Sequence, residues 1–398
     1  MTKERDAHFD ILIVGAGPVG LALSLSLRGQ GLRVGLVERQ SEVQLESPAY
    51  DGRETALSMR SLDILKDLGA WRHLDASEIS PLRSAEVTDS HRDAVLHFDP
   101  NAVGEDKLGC FVANSNLRRA LFSEHQQHGE AELFNEADMV DLRCGRWGGS
   151  VVLADRRMLS ADLIVAADNR FSRARQLAGI GALKHDYRKT MVISKVELEQ
   201  PHDQTAWERF LPEGSFALLP LNDQQASIVQ TLDATEAERV MALNVEDYLA
   251  EANGRIQQRF GAMRSLSKRF TCPLMGVYAH QFTRPGVALA GDAAVGMHPM
   301  TAHGFNLGLQ GQALLAGEIG NALQAGRDVA DPAALSTYQR KHRLLSAGMF
   351  FSTTMLAELY ATDQLPARML RGALFDAGRA LSPARRFIMR TLTQPLTG

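Results

Sequence analysis

Residues 9–38 read FDILIVGAGPVGLALSLSLRGQGLRVGLVE, and this stretch decides the fold. FDILIV is a short apolar run with β-branched residues, the pattern of a buried strand. It ends in Gly15-Ala16-Gly17-Pro18-Val19-Gly20, a G-x-G-x-x-G turn, after which a helical pattern leads to a second strand, RVGLVE. Each glycine has a physical task. Gly15 permits the tight turn, Gly17 lets the backbone approach a pyrophosphate, and Gly20 lets the helix lie close to the strand. The helix that begins at Pro18 and Val19 turns free N–H groups toward the phosphates. Glu38 is placed eighteen residues after Gly20 to accept hydrogen bonds from ribose hydroxyls. Strand, turn, helix, strand and terminal acid together predict an adenine dinucleotide site. Only one such unit is present, so one dinucleotide is expected there.

Outward from this unit, the bulk properties narrow the field. A chain of 398 residues has room for two or three domain-sized units or one interleaved pair. Its 45% hydrophobic and 23% charged content is that of a globular protein. A net charge of −4 gives no electrostatic footprint for nucleic acid. Cys110, Cys144 and Cys272 are odd in number and widely spaced, which fits a reducing compartment rather than disulfides or zinc. The apolar run ILIVGAGPVGLALSLSL is expected to be neither a signal peptide nor a membrane span. The leader MTKERDAHFD carries both signs of charge, no small-residue cleavage site follows, and glycines and Pro18 interrupt the run. A cytoplasmic location is expected, with a peripheral contact at the inner membrane left open.

Three further pieces carry chemistry. In DGRETALSMRSLDILKDLGAW (51–71), apolar residues recur at helical spacing from Leu57, Gly69 is a stop, and Arg53 stands just before the helix. In ADLIVAADNRFSRARQLAGI (161–180), a buried strand runs into Asp168, with Ser172 and Arg175 following. In VALAGDAAVGMHPMTAHGFNLGLQGQALLA (287–316), a short strand ends at Gly291-Asp292 and a helix opens at Gly304. Residues 76–100 and 181–284 alternate apolar and polar positions, as antiparallel strands with one packed face do.

This set resembles the class A flavoprotein monooxygenases, the aromatic hydroxylases built like p-hydroxybenzoate hydroxylase. The carriers are Gly15–Gly20, Asp168-Asn169 with Ser172 and Arg175, and Gly291-Asp292. Within that class the chain looks most like the ubiquinone-biosynthesis hydroxylases, through FVANSNLRRAL with Asn114 and Arg118, TAWERFLPEGSFALLPL at 205–221, and HPMTAHGFNLGL. The resemblance spans roughly residues 9 to 345. It departs at Val295, where the family commonly has His, at Ala302-His303-Gly304 for Gly-Gln-Gly, at Asn169 for Gly, and at Gly311, where Asp is frequent. Asn169 is expected to keep the turn because Asn tolerates left-handed backbone geometry.

The resemblance implies an α/β fold: a Rossmann-like FAD-binding domain of the p-hydroxybenzoate hydroxylase type, an interleaved antiparallel substrate domain, and a helical C-terminus. The FAD-binding pieces would be 1–75, 101–180 and 285–345, the substrate pieces 76–100 and 181–284, and the C-terminal region 346–398. FAD is the implied cofactor. Asp292 would accept from ribityl hydroxyls, and the helix from Gly304 would aim its positive end at the flavin, with the Phe305 and Asn306 N–H groups in reach of a ring carbonyl. Arg39, Arg53, Arg118, Asp168 and Gly291 complete the expected cofactor contacts. Pro299 matches the position facing the oxygen-reacting side of the flavin. His298 and His303 are read as pocket or packing residues with a proton-shuttle alternative. Their spacing lacks a carboxylate cluster, so no metal site is expected.

The implied activity is hydroxylation, through a C4a-hydroperoxyflavin, of the ring of a polyprenylated phenol in ubiquinone biosynthesis, at one or more ring positions, using O2 and an electron donor such as NAD(P)H. Two alternatives stand beside it: hydroxylation of another phenolic or secondary metabolite, and a low-activity flavin-binding assembly factor. AGMFFSTTMLAELY and PARRFIMRTLTQPL combine Met, Phe and Leu with Arg. They read as core helices or as a surface for membrane or biosynthetic partners. An oligomer is left open.

Overall fold

The computed structural model describes residues 7–361 except 91, 213 and 302; PARRFIMRTLTQPL lies outside the described residues. Two large sheets organise the molecule. The first has eight strands. Its centre is Ala7–Val14, paired in parallel with Val34–Val37 on one side and with Met158–Ala166 on the other. Val287–Leu289 joins Met158–Ala166 in parallel, so three motif-bearing strands end at one sheet edge. These strands are almost wholly apolar because both faces are covered, as parallel sheets require. Pro18–Ser26 and Gly304–Gln324 pack on this sheet, with Leu21, Leu23, Leu25, Leu309, Leu315 and Ile319 buried in one core.

The second sheet has nine strands. The long strand Ala182–Leu198 lies at its centre, hydrogen-bonded to Gln225–Asp233 and Phe270–Ala279. The expectation of purely antiparallel pairing fails at one join. Thr205–Leu211 runs parallel to Ser84–Asp89, with Thr205 opposite Ser84 and Phe210 opposite Asp89. The hairpin Ser84–Phe98 comes from a distant part of the chain, and nothing local fixes its direction against the rest. The helices Ala234–Ala242 and Val245–Arg255 also interrupt the strands of 181–284. They cover one face of the sheet, packing Val192, Leu232, Val240 and Tyr248 on one side and Val196, Trp207, Phe216, Leu218 and Ile256 on the other. The opposite face, carrying Tyr187, Met191, Ile193 and Val229, meets Met300 from the late motif and Ala357 from the last helix.

Two local readings are corrected. The helix expected from Leu57 begins at Met59, with Ser58 as its N-cap, because Glu54–Leu57 is instead a strand paired with Gly109–Ala113. Sheet pairing with a remote strand outweighs the helical spacing there. The stop at Gly69 holds, its φ of +85° being open to glycine at little cost. Asn169 does not adopt positive φ. Its Oδ1 accepts from the Phe171 N–H at 2.8 Å, so its side chain makes the turn that left-handed backbone geometry was expected to make.

Pro332–Ala361 is one long helix. Tyr338, His342, Ser346 and Phe350 are buried along it, and the Tyr338 hydroxyl donates to the Leu289 carbonyl at 2.6 Å. None of the helices among the described residues is long and apolar enough to cross a membrane.

Candidate active site

The three strand ends place their motifs side by side. A Cβ on Gly15 would lie 2.7 Å from the Ala167 carbonyl oxygen and 2.8 Å from Asp168 Cα, and φ at Gly15 is +108°. A Cβ on Gly20 would lie 1.8 Å from the Gly15 carbonyl oxygen. Neither position accepts a side chain. Gly17 is different: nothing lies within 4 Å of a Cβ there, so this face of the turn is open. Pro18 is the first helical residue, and no side chain caps the helix N-terminus. An open approach before uncapped amides is what a pyrophosphate needs. Glu38 accepts from the Ala16 N–H at 2.8 Å and from the Gln40 N–H at 2.9 Å, fixing the turn to the second strand. Arg39 is exposed beside it. Arg118 donates to Gln40 Oε1 at 2.5 Å.

Val19 and Gly291 are in contact: a Cβ on Gly291 would sit 3.0 Å from Val19, and one on Gly308 would do the same. The first and late motifs therefore pack through two glycines onto one valine. The middle motif is tied in by cations. Arg175 is only 1% exposed, and its Nη1 donates to the Ala293 carbonyl at 2.8 Å. Arg170, which sequence reasoning passed over, donates to Asp292 Oδ2 at 3.2 Å and to the Met275 carbonyl at 3.1 Å. It spans from the cofactor side to the second sheet. Asp168 accepts from the Ala174 N–H at 3.3 Å through one oxygen, while the other is buried with no protein partner. Such an orphan acceptor next to the open turn fits a hydroxyl-bearing ligand.

Arg53 is held by Asp51, which it contacts at 2.6 Å, and Asn114 donates to the same carboxylate at 2.9 Å. Burial alone would raise the Asp51 pKa. The hydrogen bonds and charge of Arg53 outweigh it and hold the carboxyl below its usual range. Asp51 was also missed; its only local signal is a position two residues before Arg53.

In the late loop, Gly304 opens the helix, and a Cβ there would meet only Met297 at 3.6 Å. His303 precedes it, and its side chain does not cap the helix. Phe305 is half-buried. The Asn306 side chain faces inward, accepting from the Ser58 N–H at 3.0 Å and donating to the Ala56 carbonyl at 2.8 Å. It locks the helix start to Glu54–Leu57. Pro299 is exposed. His298 is 5% exposed, with its ring 4.6 Å from that of Tyr187 and its Nδ1 accepting from the Met300 N–H at 3.1 Å. Burial, with a smaller contribution from His185, pushes its pKa down to about 4, so it is neutral near pH 7. Val295 is 3% exposed and belongs to the core beside Tyr278. Gly311 is explained by packing: a Cβ there would come within 2.7 Å of the His342 ring.

Over this cradle, Tyr187, Phe210, Ser215 and Thr231 of the second sheet line a pocket with His298 and Met300 of the late loop. Tyr360 of the last helix closes one side, stacked on Phe210 at 3.7 Å.

Comparisons with known proteins agree with this geometry. A family model described as an FAD binding domain matches residues 8–350. Ubiquinone hydroxylase UbiM of Neisseria meningitidis is 37% identical over 390 residues, covering 97% of this chain and 85% of that protein. Ubiquinone hydroxylase UbiL of Rhodospirillum rubrum is 33% identical, covering 98% and 90%. Among solved structures, PqsL of P. aeruginosa in complex with 2-aminobenzoylacetate superimposes with a TM-score of 0.77 at 22% identity, covering 92% of this chain and all of that one. That match speaks for the fold.

Proposed function

The chain belongs to the FAD binding domain family and is an FAD-dependent monooxygenase, and from that premise we propose that it hydroxylates the aromatic ring of a polyprenylated ubiquinone precursor. The observation that carries the reading is the shared pocket. His298 and Met300, from the loop between Asp292 and Gly304, line one cavity with Tyr187 and Phe210 of the second sheet. A ring held there lies between the cofactor cradle and an apolar roof.

When bound, FAD supplies activated oxygen from O2 and a reduced donor. The chain's own residues bind and orient. Gly17 and the helix N-terminus at Pro18 would take the pyrophosphate, Glu38 and Arg39 the adenosine side, and Arg53, Arg118 and Asp168 the middle of the cofactor. Asp292 would take the ribityl chain, with Gly291 giving close approach. Pro299 would line the oxygen-reacting side, and the Gly304, Phe305 and Asn306 amides would face the ring carbonyl. Neutral His298 packs the pocket wall, and His303 stands at the helix mouth. The apolar roof excludes water, which keeps activated oxygen from being lost before transfer.

The division into FAD-binding pieces 1–75, 101–180 and 285–345 around substrate pieces 76–100 and 181–284 is part of this proposal, and the two separate sheets support it. So is work at the inner-membrane surface or beside partner enzymes. The exposed Leu344, Phe351 and Met355 on the last helix support that contact.

The test supplies the FAD-loaded protein with NAD(P)H, labelled O2 and a prenylated phenol, and follows the product by mass spectrometry. One labelled oxygen on the ring is expected, and complementation of bacteria lacking individual ubiquinone ring hydroxylases then gives the ring position. Absence of labelled product while donor is consumed would end the substrate assignment.

A further inference from the structure

The strand Thr205–Leu211 alternates between two faces. Trp207 points outward, into the cluster with Phe216, Leu218 and Ile228. Arg209 shares that face, donating to the Arg255 carbonyl at 2.8 Å. Phe210 points the other way and lines the pocket. Glu208 shares the pocket face by the same alternation. Cross-strand register makes this concrete. Phe210, Ser215, Thr231 and Met191 form one row across four strands, and Glu208, Ala217, Val229 and Ile193 form the next. A carboxyl thus sits in an otherwise apolar row on the site face. Its side-chain partner is Ser215, which lines the pocket itself. An acid placed among Ala, Val and Ile costs stability unless something uses it.

We infer that Glu208, with Ser215, accepts the hydrogen bond of the substrate's ring hydroxyl and takes its proton as oxygen adds to the ring. The inference rests on the hydroxylase reading above. A C–O bond forms at a ring carbon conjugated with the hydroxyl as the O–O bond of the activated oxygen that bound FAD would supply breaks. The departing oxygen keeps that bond's electron pair and takes up the proton later released from the ring carbon, on its way to water. An electron pair of the hydroxyl oxygen moves into the ring, its O–H bond breaks, and the proton passes to the Glu208 carboxylate. The hydrogen on the newly oxygenated carbon then leaves as a proton, and the proton on Glu208 returns to the original oxygen as aromaticity is restored. The hydroxyl becomes a strong acid only when the ring gives up electron density, so a base titrating near neutrality is suited to receive the proton at that moment. Burial raises Glu208 to about 7, the Ser215 hydrogen bond opposing the shift.

Other titratable groups share this face or border it. Asp89 lies opposite Phe210, Lys189 is paired with Asp233, and Glu358 contacts His185. Lys195, two residues beyond Ile193 and paired with Glu54, shares the face as well, and Tyr187, Tyr360 and His298 line the pocket. A pH limb alone therefore does not identify Glu208; its loss in a single variant does.

The experiment uses FAD-loaded protein and two probes, a short-chain prenylphenol and its methyl ether. Flavin absorbance reads binding of each. Wild type should prefer the phenol roughly tenfold, as a site built around a hydroxyl does. In Glu208→Ala and Ser215→Ala that ratio should fall toward one. Glu208→Gln keeps the shape without the base. Its hydroxylation per donor oxidised should drop about 100-fold, and the rise in rate with pH through about 7 should disappear. Ser215→Ala and Glu208→Gln carry the comparison if Glu208→Ala does not fold. An unchanged phenol-to-ether ratio in the Ala variants, or a retained pH limb in Glu208→Gln, overturns the inference while wild-type turnover leaves the hydroxylase reading standing. Conversely, a wild type that prefers the phenol through Glu208 but hydroxylates neither probe retires the hydroxylase reading and upholds the anchor.

Discussion

At the scale of single residues, the site divides by how local its determinants are. Gly15, Gly17 and Gly20 were legible because a turn's demands lie within six residues, and Asp292 because a strand end followed by Gly-Asp is itself a local pattern. Arg170 was not. Its importance comes from reaching Asp292, 122 positions away, and the Met275 carbonyl on another sheet. Glu208 was hidden for the same reason, since alternation alone does not say which face of a strand meets the site. Val295, a departure from the family pattern, is 3% exposed and packs in the core. Asp292 carries the residue-scale prediction. Its side chain is 41% exposed and its known partner is Arg170, so acceptor capacity remains for a ligand hydroxyl. Asp292→Ala removes a charged acceptor worth about 1.5–3 kcal/mol, and FAD affinity should weaken by roughly 10- to 100-fold. Fluorescence titration of the apo-protein with FAD measures it, and an unchanged dissociation constant would remove Asp292 from the cofactor site.

At the scale of elements, strands with continuous apolar runs and the glycine-led helices were readable because period and punctuation coincide. The strand Glu54–Leu57 was not, because its four residues gain their hydrogen bonds from Gly109–Ala113, more than fifty positions on. The parallel join between Thr205–Leu211 and Ser84–Asp89 was equally out of reach. Gly311 shows how a packing partner can decide a residue. It lies within the helix Gly304–Gln324 and faces His342 of Pro332–Ala361. His342 cannot readily yield: it is 1% exposed and stacked on Tyr338 at 5.6 Å. Gly311→Ala should therefore destabilise by about 1–3 kcal/mol despite the gain of about 1 kcal/mol that alanine brings to a helix interior. In a His342→Ala background the clash is gone, and the same substitution should become neutral or stabilising. Urea unfolding of the four proteins in this cycle checks it; additive effects would show that the two helices do not meet through this pair.

At the scale of the whole molecule, the interleaving of two sheets buries groups that must stay neutral, and global stability inherits their titration. His298 and His342 are both lowered to about 4 by burial. His125 and His202 are lowered in the same sense and for the same reason. In the unfolded chain each titrates near 6.5. Stability from these neutral histidines is fully present above about pH 6.5 and is lost as pH falls through that value toward 4. Two carboxyls work against this. Glu208 is raised to about 7 and Glu54 is raised as well, both chiefly by burial, so their contribution is present in acid and is lost as pH rises. Near pH 5.5 the unfolded chain holds close to one extra proton on each of His298 and His342, and the folded chain close to one extra on Glu208. From these three groups the folded state binds about one proton fewer. The unfolding free energy should then fall by about 1.4 kcal/mol for each pH unit of acidification between roughly 5.5 and 4.5. Urea unfolding in saturating FAD at pH 7.5, 6.5, 5.5 and 4.5 measures the slope. His342→Asn removes one of the two large histidine terms without touching the cofactor cradle, so its slope over the same window should be close to zero. A wild-type stability that is flat or rises on acidification in that window, or a His342→Asn slope equal to that of wild type, would show that these buried rings are not what couples folding to protons.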